Sequence, residues 1–190
     1  MRALDEQLLL IARTRAHTPR SERAVAALSL LGEHAGVWLA IGVAGARTSR
    51  ERERERGFRR ARNTVLATYA LNTAIKRVVR RPRPQLPGLP ALTSTPSALG
   101  FPSAHASTSF AGAVSYSRLG VPALPLYALA VALSLSRVYL GVHYPSDVLA
   151  GALLGSAVAR ARFRATGAGR SHSHGVPRVR TCERGTGAGK

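Results

Sequence analysis

Apolar residues in this chain gather in blocks, and arginine gathers in the gaps between them. Five blocks, at about 24–46, 62–80, 103–118, 121–141 and 146–160, are mostly near the roughly 20 residues that carry a helix across a bilayer. The last is short and reads on into the basic residues after it. All five are rich in Ala, Gly and Ser rather than Leu, which predicts helices packed closely through small side chains. Ahead of them, residues 3–15 set Leu4, Leu8, Ile11 and Ala12 at helical spacing with Arg13 and Arg15 beyond. That pattern predicts an amphipathic helix lying in a membrane interface rather than spanning it. The predicted fold class is all-α, a multi-pass membrane helix bundle of about five transmembrane helices plus the N-terminal amphipathic helix.

Three segments follow from this reading: residues 1–23 as helix and linker, 24–164 as the membrane domain, and 165–190 as a basic tail. The tail has few large apolar residues and many Gly, Ser and Arg, so it is expected to be disordered. Its His172 and His174 read as incidental rather than as metal ligands. Glu33 and His34 interrupt the first apolar block, where polar groups are costly and turn toward a bundle interior. A structural hydrogen bond and an accessory role at a site are equally open for that pair.

Charge sharpens the picture. The formal net charge of +19 is of a size that ordinarily marks a nucleic-acid binder, but its placement argues otherwise. Residues 47–62 hold eight Arg against three Glu, and residues 160–190 hold seven Arg and Lys190 against Glu183. These segments, at +5 and +7, carry 12 of the 19 charges, and each abuts an apolar block as juxtamembrane clusters do. A membrane is the expected partner, and nucleic acid is not. If 47–62 faces the cytoplasm, alternation puts the basic tail on that side and residues 81–102 and 141–146 on the other. The arginines of the first 23 residues then lie outside, against the trend. Cys182 is the only cysteine, which leaves no internal disulfide and no cysteine-based metal site. The apolar run Leu8 to Ala12 is too short for a signal peptide.

Three clusters fall on that outer side. In the first, Lys76 is followed by Arg80, Arg81 and Arg83 as Pro82 and Pro84 force the chain out of helix. Arginine's planar fork matches two phosphate oxygens, and lysine adds a mobile point charge. In the second, Pro102 is expected at the first position of a helix, with Ser103, Ala104 and His105 in its first turn. Free amides there form an anion site at the positive end of the helix. In the third, Ser136 and Arg137 precede His143, and Pro145 opens the last helix. Asp147 then lies in its first turn, near enough to accept a hydrogen bond from the imidazole and fix its tautomer. Any one of these residues marks a helix end as readily as a ligand. Together they suit gripping and cleaving a phosphate ester.

These residues resemble the signature of the type 2 phosphatidic acid phosphatase superfamily, K-x6-R-P, P-S-G-H and S-R-x5-H-x3-D. Lys76, Arg83 and Pro84 match the first part, and Ser136, Arg137, His143 and Asp147 match the third. Pro102, Ser103 and His105 match the second, with Ala104 in place of the usual glycine. Alanine keeps the amide and loses only the freedom of positive φ, so activity is expected to survive. The resemblance implies that His143 attacks phosphorus, that Asp147 orients it, and that His105 protonates the leaving alkoxide and then activates water. It implies that Lys76, Arg83, Ser103, Ala104 through its amide and Arg137 bind the phosphate oxygens, with Ser136 and Pro102 in support. No metal or other cofactor is implied, since the cations fill that role, and no specific protein partner is predicted.

The expected substrate is a lipid or polyprenyl phosphate whose head group lies at the outer face of the cell membrane. The opening LDEQLLLIARTR and the short chain are similar to actinobacterial members of the superfamily that act on a decaprenyl-linked phosphoribose in arabinan precursor synthesis. Undecaprenyl pyrophosphate, phosphatidylglycerol phosphate and phosphatidic acid stay open as alternatives, because the clusters read the phosphate and not the tail. Two rival classes are a vanadium-dependent haloperoxidase, which shares the anion pocket on a larger soluble body, and a non-enzymatic basic protein. Binding by the latter falls steeply with salt and survives loss of His143.

Overall fold

The computed structural model describes residues 2–168, and the readings made for the tail from residue 169 onward lie outside them. The elements in chain order are α1 (Arg2–Thr14), α2 (Pro19–Leu31), a 3-10 turn (Glu33–Ala35), α3 (Gly36–Thr48), α4 (Arg52–Val79), α5 (Ala104–Ser117), α6 (Ala123–Tyr139) and α7 (Pro145–Ala168). Among the described residues the only β pairing is two isolated bridges in the α4–α5 loop. The all-α expectation holds.

Two of the expected blocks are reshaped. The first is broken: α2 stops at Gly32, and His34 (φ 49) and Ala35 (φ 62) take left-handed conformations before α3 begins. Such non-glycine positions cost on the order of 1–2 kcal/mol each. The arginine-rich stretch 47–62, expected as a loop, is instead mostly the first part of the 28-residue α4. Arg and Glu are good helix formers, and an Arg59–Glu55 pair at 2.7 Å reinforces the turn at i,i+4 spacing. The last block does continue into the basic region, as α7. Among the described residues no single helix is long and apolar enough by itself to cross a membrane, whereas α2 and α3 together, bent by 46°, pass that test.

The small residues explain how the bundle closes. The fully sequestered α5 buries Ala106, Ser107, Thr108, Ser109, Ala111, Gly112, Ala113, Val114 and Tyr116, with α3, α4, α6 and α7 around it. Two of its hydroxyls find an acceptor within the helix: Ser107 and Thr108 each donate to the carbonyl four residues back, Ser103 and Ala104, at 2.9 Å. On α7, Gly151 and Gly155 lie so close to α5 that a Cβ at 155 would sit 2.0 Å from the Ser107 carbonyl oxygen. Only glycine permits that approach, the small-xxx-small arrangement of packed membrane helices. On the other flank Trp38 is wholly buried, donates to Ser109 Oγ at 3.0 Å and covers Gly112.

The amphipathic α1 turns most of its apolar residues outward and two polar ones in. Asp5, Leu9 and Arg13, one helical turn apart, face inward and are buried, while Leu4, Leu8, Leu10 and Ile11 are 44–58% exposed. The buried Arg13 donates to the carbonyls of Pro90 (2.8 Å) and Tyr139 (3.3 Å). This element straps the ends of α6 and α7 and offers its leucines outward, as an interfacial helix must.

Candidate active site

The cationic cluster starts at the C-terminal end of α4, where Asn72 and Lys76 share one buried face. Lys76 Nζ donates to the carbonyls of Gly100 (2.8 Å) and Leu99 (3.2 Å). One turn earlier, Asn72 Nδ2 donates to Pro102 O (3.1 Å) and Ser107 Oγ (2.9 Å). Those bonds tie the loop 80–103 and the start of α5 to α4. Arg83, on that loop, donates from Nε to Ser97 O and from one terminal nitrogen to Val142 O, both at 2.8 Å.

The start of α5 differs from the expectation by one place. Ser103 is the N-cap and Ala104 the first helical residue, so Pro102 precedes the cap instead of opening the helix. Serine wins the cap because its hydroxyl accepts from the Ala106 amide, a service proline cannot give. The Ser103 amide donates to the Asp147 carbonyl at 2.9 Å, so this residue joins α5 to α7 through its main chain. The first-turn amides of Ala104 and His105 are left as the donors characteristic of a helix start. Ala104 sits in ordinary helix, where alanine meets no strain.

Pro145 opens α7 as expected, with Asp147 in its first turn. His143 is 2% exposed. Its Nε2 lies 3.0 Å from a terminal nitrogen of Arg83; a guanidinium only donates, so Nε2 carries the lone pair and Nδ1 the proton. Nδ1 lies 3.4 Å from Asp147 Oδ2, within ion-pair range but short of hydrogen-bond geometry, and no other group takes it. Burial first, then Arg83, Lys76 and Arg137, push the imidazole well below its ordinary pKa and keep it neutral.

A cavity of about 190 Å³ gathers Lys76, Arg83, Ala104, His105, Arg137 and His143 in its lining. His105 Nε2 donates to Ser29 O at 3.1 Å, and Arg137 donates to the hydroxyl of the same Ser29. Asp147 lies behind His143, out of the cavity. Ser136 is also outside it, with its hydroxyl returned to Leu133 O at 2.8 Å. A larger cavity of about 590 Å³ lies at the opposite ends of α4, α5 and α7, beside Arg60, Arg118 and Phe163. It contains no residue of the three clusters. Among the described residues no group of three or more His, Cys, Asp or Glu is placed to hold a metal ion.

Three contributors escaped the sequence reading as site residues, Ser29, Asn72 and Asp5, and Arg81, read there as a cation of the first cluster, binds carboxylates instead. Arg81 donates to Asp147 Oδ1 (2.9 Å), Ser146 Oγ (2.7 Å) and Asp5 Oδ2 (2.9 Å), and lies over the Tyr144 ring at 4.5 Å. Asp5 in turn accepts from the Ser146 amide at 3.0 Å and from its hydroxyl. Burial works against ionisation of Asp5, yet the bonds from Ser146 and Arg81 outweigh it and hold the carboxyl below its ordinary pKa. The chain Asp5, Arg81, Asp147, His143 thus runs from the strapping helix to the buried imidazole. Asp5→Asn is expected to lower kcat about tenfold with KM little changed, because the loss falls on orientation and not on substrate contact. Steady-state kinetics on the folded variant check this; an unchanged kcat contradicts it.

A bundle of small-residue helices with phosphate-sized cationic walls and two imidazoles defines a class of helical phosphatases. The chain belongs to the PAP2 superfamily, whose model matches residues 60–170, and it is a phosphoric monoester hydrolase. It is 43% identical over 132 residues to the decaprenylphosphoryl-5-phosphoribose phosphatase of Mycobacterium tuberculosis, covering 69% of this chain and 72% of that protein. The protein of that name in Mycolicibacterium smegmatis is 39% identical over 151 residues, 79% and 82% of the two chains. Among solved structures, the transmembrane PAP2-type phosphatidylglycerolphosphate phosphatase of Bacillus subtilis superposes with a TM-score of 0.71 at 23% identity, over 92% of this chain and 89% of the other. LpxE of Aquifex aeolicus gives 0.66 at 22% identity, over 85% and 95%. Those two share the fold.

Proposed function

We propose that this protein is an integral membrane phosphatase that removes the terminal phosphate of a polyprenyl-linked phosphoribose through a phosphohistidine on His143. The observation that carries the mechanism is the unprotonated Nε2 of a buried His143, held at 3.0 Å by Arg83 in the lining of a cavity shared with Lys76, Arg137 and His105. The names of the relatives at 39–43% identity supply the lipid.

Nε2 attacks phosphorus, a P–N bond forms, and the P–O bond to the sugar breaks. His105, entering this step as the imidazolium with its second proton on Nδ1, gives that proton to the departing oxygen. Water then attacks the phosphohistidine while His105 takes its proton, and inorganic phosphate leaves with restoration of both imidazoles. Lys76, Arg83, Arg137 and the Ala104 amide neutralise the oxygens as charge shifts toward them. Asp147 faces Nδ1–H and steadies the cation that forms at His143.

The site faces the extracytoplasmic side in this reading. The cavity and the arginine clusters occupy opposite ends of α4, a helix about 42 Å long, and of α7, and arginine excess marks the cytoplasmic end. The test is hydrolysis by purified protein in detergent of decaprenylphosphoryl-5-phosphoribose, undecaprenyl pyrophosphate, phosphatidylglycerol phosphate and phosphatidic acid, each with and without EDTA. The phosphoribose lipid is expected to give the highest kcat/KM, with no effect of chelation. A tenfold preference for another lipid overturns the substrate, and loss of activity on chelation overturns the metal-free mechanism.

A further inference from the structure

The break between α2 and α3 is not used by the chemistry above, yet it lines the same cavity. Glu33, His34, Tyr69 and Thr73 line it together with the cations. His34 and Ala35 hold consecutive left-handed conformations, with φ of 49 and 62. Strain of that kind persists only where the surroundings enforce it and gathers at ligand sites. The enforcement is visible. His34 Nδ1 pairs with the Tyr69 hydroxyl at 3.2 Å, and Gly32 presses so closely on His105 that a Cβ there would lie 2.7 Å from its ring. The bend therefore carries two polar side chains into a cavity from a segment that otherwise reads as an apolar span.

The chemistry of these residues is opposite to that of the cations. Glu33 is half-buried and lies within the field of Arg137, while its carboxylate takes part in none of the hydrogen bonds or ion pairs found among the described residues. A carboxylate only accepts, so it repels the phosphate and seeks donors beside it. The His34–Tyr69 pair offers a donor and an acceptor together. A diacylglycerol has no donor to give these residues, whereas a sugar carrying the phosphate has hydroxyls.

We infer that Glu33, with the His34–Tyr69 pair, is a head-group subsite that binds the hydroxyls of a pentose attached to the scissile phosphate. The inference rests on the phosphoribose reading and adds the residues that select the sugar. The subsite makes the enzyme prefer a sugar phosphate over a glycerolipid phosphate, since a site built to bond a hydroxyl discriminates strongly against its absence.

The experiment measures kcat/KM of wild type, Glu33→Gln and Tyr69→Phe on decaprenylphosphoryl-5-phosphoribose, its 2-deoxyribose analogue and phosphatidic acid. For Glu33→Gln the ratio of kcat/KM for the phosphoribose lipid to that for phosphatidic acid is expected to fall about tenfold or more, mainly through KM for the sugar lipid. Tyr69→Phe, which removes one hydroxyl, is expected to move the ratio the same way and covers the case of a misfolded Glu33 variant. The deoxy analogue should lose less in Glu33→Gln than in wild type, because the bond is already gone. An unchanged ratio in both variants, with the substrates falling together, overturns the subsite and leaves the phosphatase reading intact. Wild type that cleaves phosphatidic acid but not the phosphoribose lipid overturns the substrate reading itself.

Discussion

His143→Ala is expected to abolish phosphate release from every lipid substrate, with a fall of at least about 10⁴-fold in kcat, and to leave no labelled protein when a ³²P-substrate is quenched in alkali. A nucleophile that forms a covalent intermediate has no substitute. The geometry gives the expectation its force. The residue is 2% exposed, its Nε2 is unprotonated because Arg83 can only donate to it, and its other nitrogen faces Asp147 at 3.4 Å. The pH dependence has a fixed sign. The proposed nucleophile must be neutral to attack, and burial, then Arg83, lower the His143 pKa well below 6.5. The acid limb that this imidazole adds to kcat/KM therefore lies below pH 6.5, and acidification to that point costs no nucleophile. Substantial turnover by His143→Ala, or phosphate carried stably on that variant, sinks the mechanism.

The parts of the site legible in the sequence are those whose chemistry coincides with a helix end. Pro145 in front of Asp147 announces a helix start, and Lys76 among Pro82 and Pro84 announces a helix stop. Three such ends in order give the cavity its cations and imidazoles without any knowledge of packing. The near miss at Pro102 has a local cause, because Ser103 competes for the cap and takes it.

What stayed hidden depends on partners far apart in the chain. Asp5 and Ser146 are 141 residues apart and meet only when α1 straps the bundle. In the sequence, Leu4, Leu8 and Ile11 mark a face of α1 suited to a membrane interface, and that face does point outward. What the pattern left hidden is that the polar Asp5 and Arg13 point in. The inward face of this helix is chosen by polar satisfaction, since Asp5 and Arg13 find their partners there. The arginine stretch before residue 62 was missed for another reason, because charge was read as loop although Arg and Glu propagate a helix well. The Glu33–His34 interruption was visible as an anomaly. Its meaning needed the cavity, for only there does a break in a span become part of the site.

His105→Ala separates the two proton transfers that the sequence assigned to one residue. With a lipid substrate the leaving alkoxide is strongly basic, and loss of the acid is expected to slow phosphoenzyme formation by about 10²–10⁴-fold. An aryl phosphate with a leaving phenol of low pKa departs without a proton, so its first step is expected to recover to within about tenfold of wild type. The second step does not recover. Hydrolysis of the phosphohistidine still needs a base to take a proton from water, and His105 is no longer there to do so. Rapid mixing with the aryl phosphate is thus expected to show a fast burst of phenol, close to one per active site, followed by slow turnover and a labelled enzyme. The assignment has structural support in the placement of the ring: Nε2 is committed to Ser29 O at 3.1 Å, which leaves Nδ1 as the nitrogen that exchanges a proton. A burst slowed as severely as lipid cleavage removes the acid role from His105, and a burst with undiminished steady turnover removes the base role.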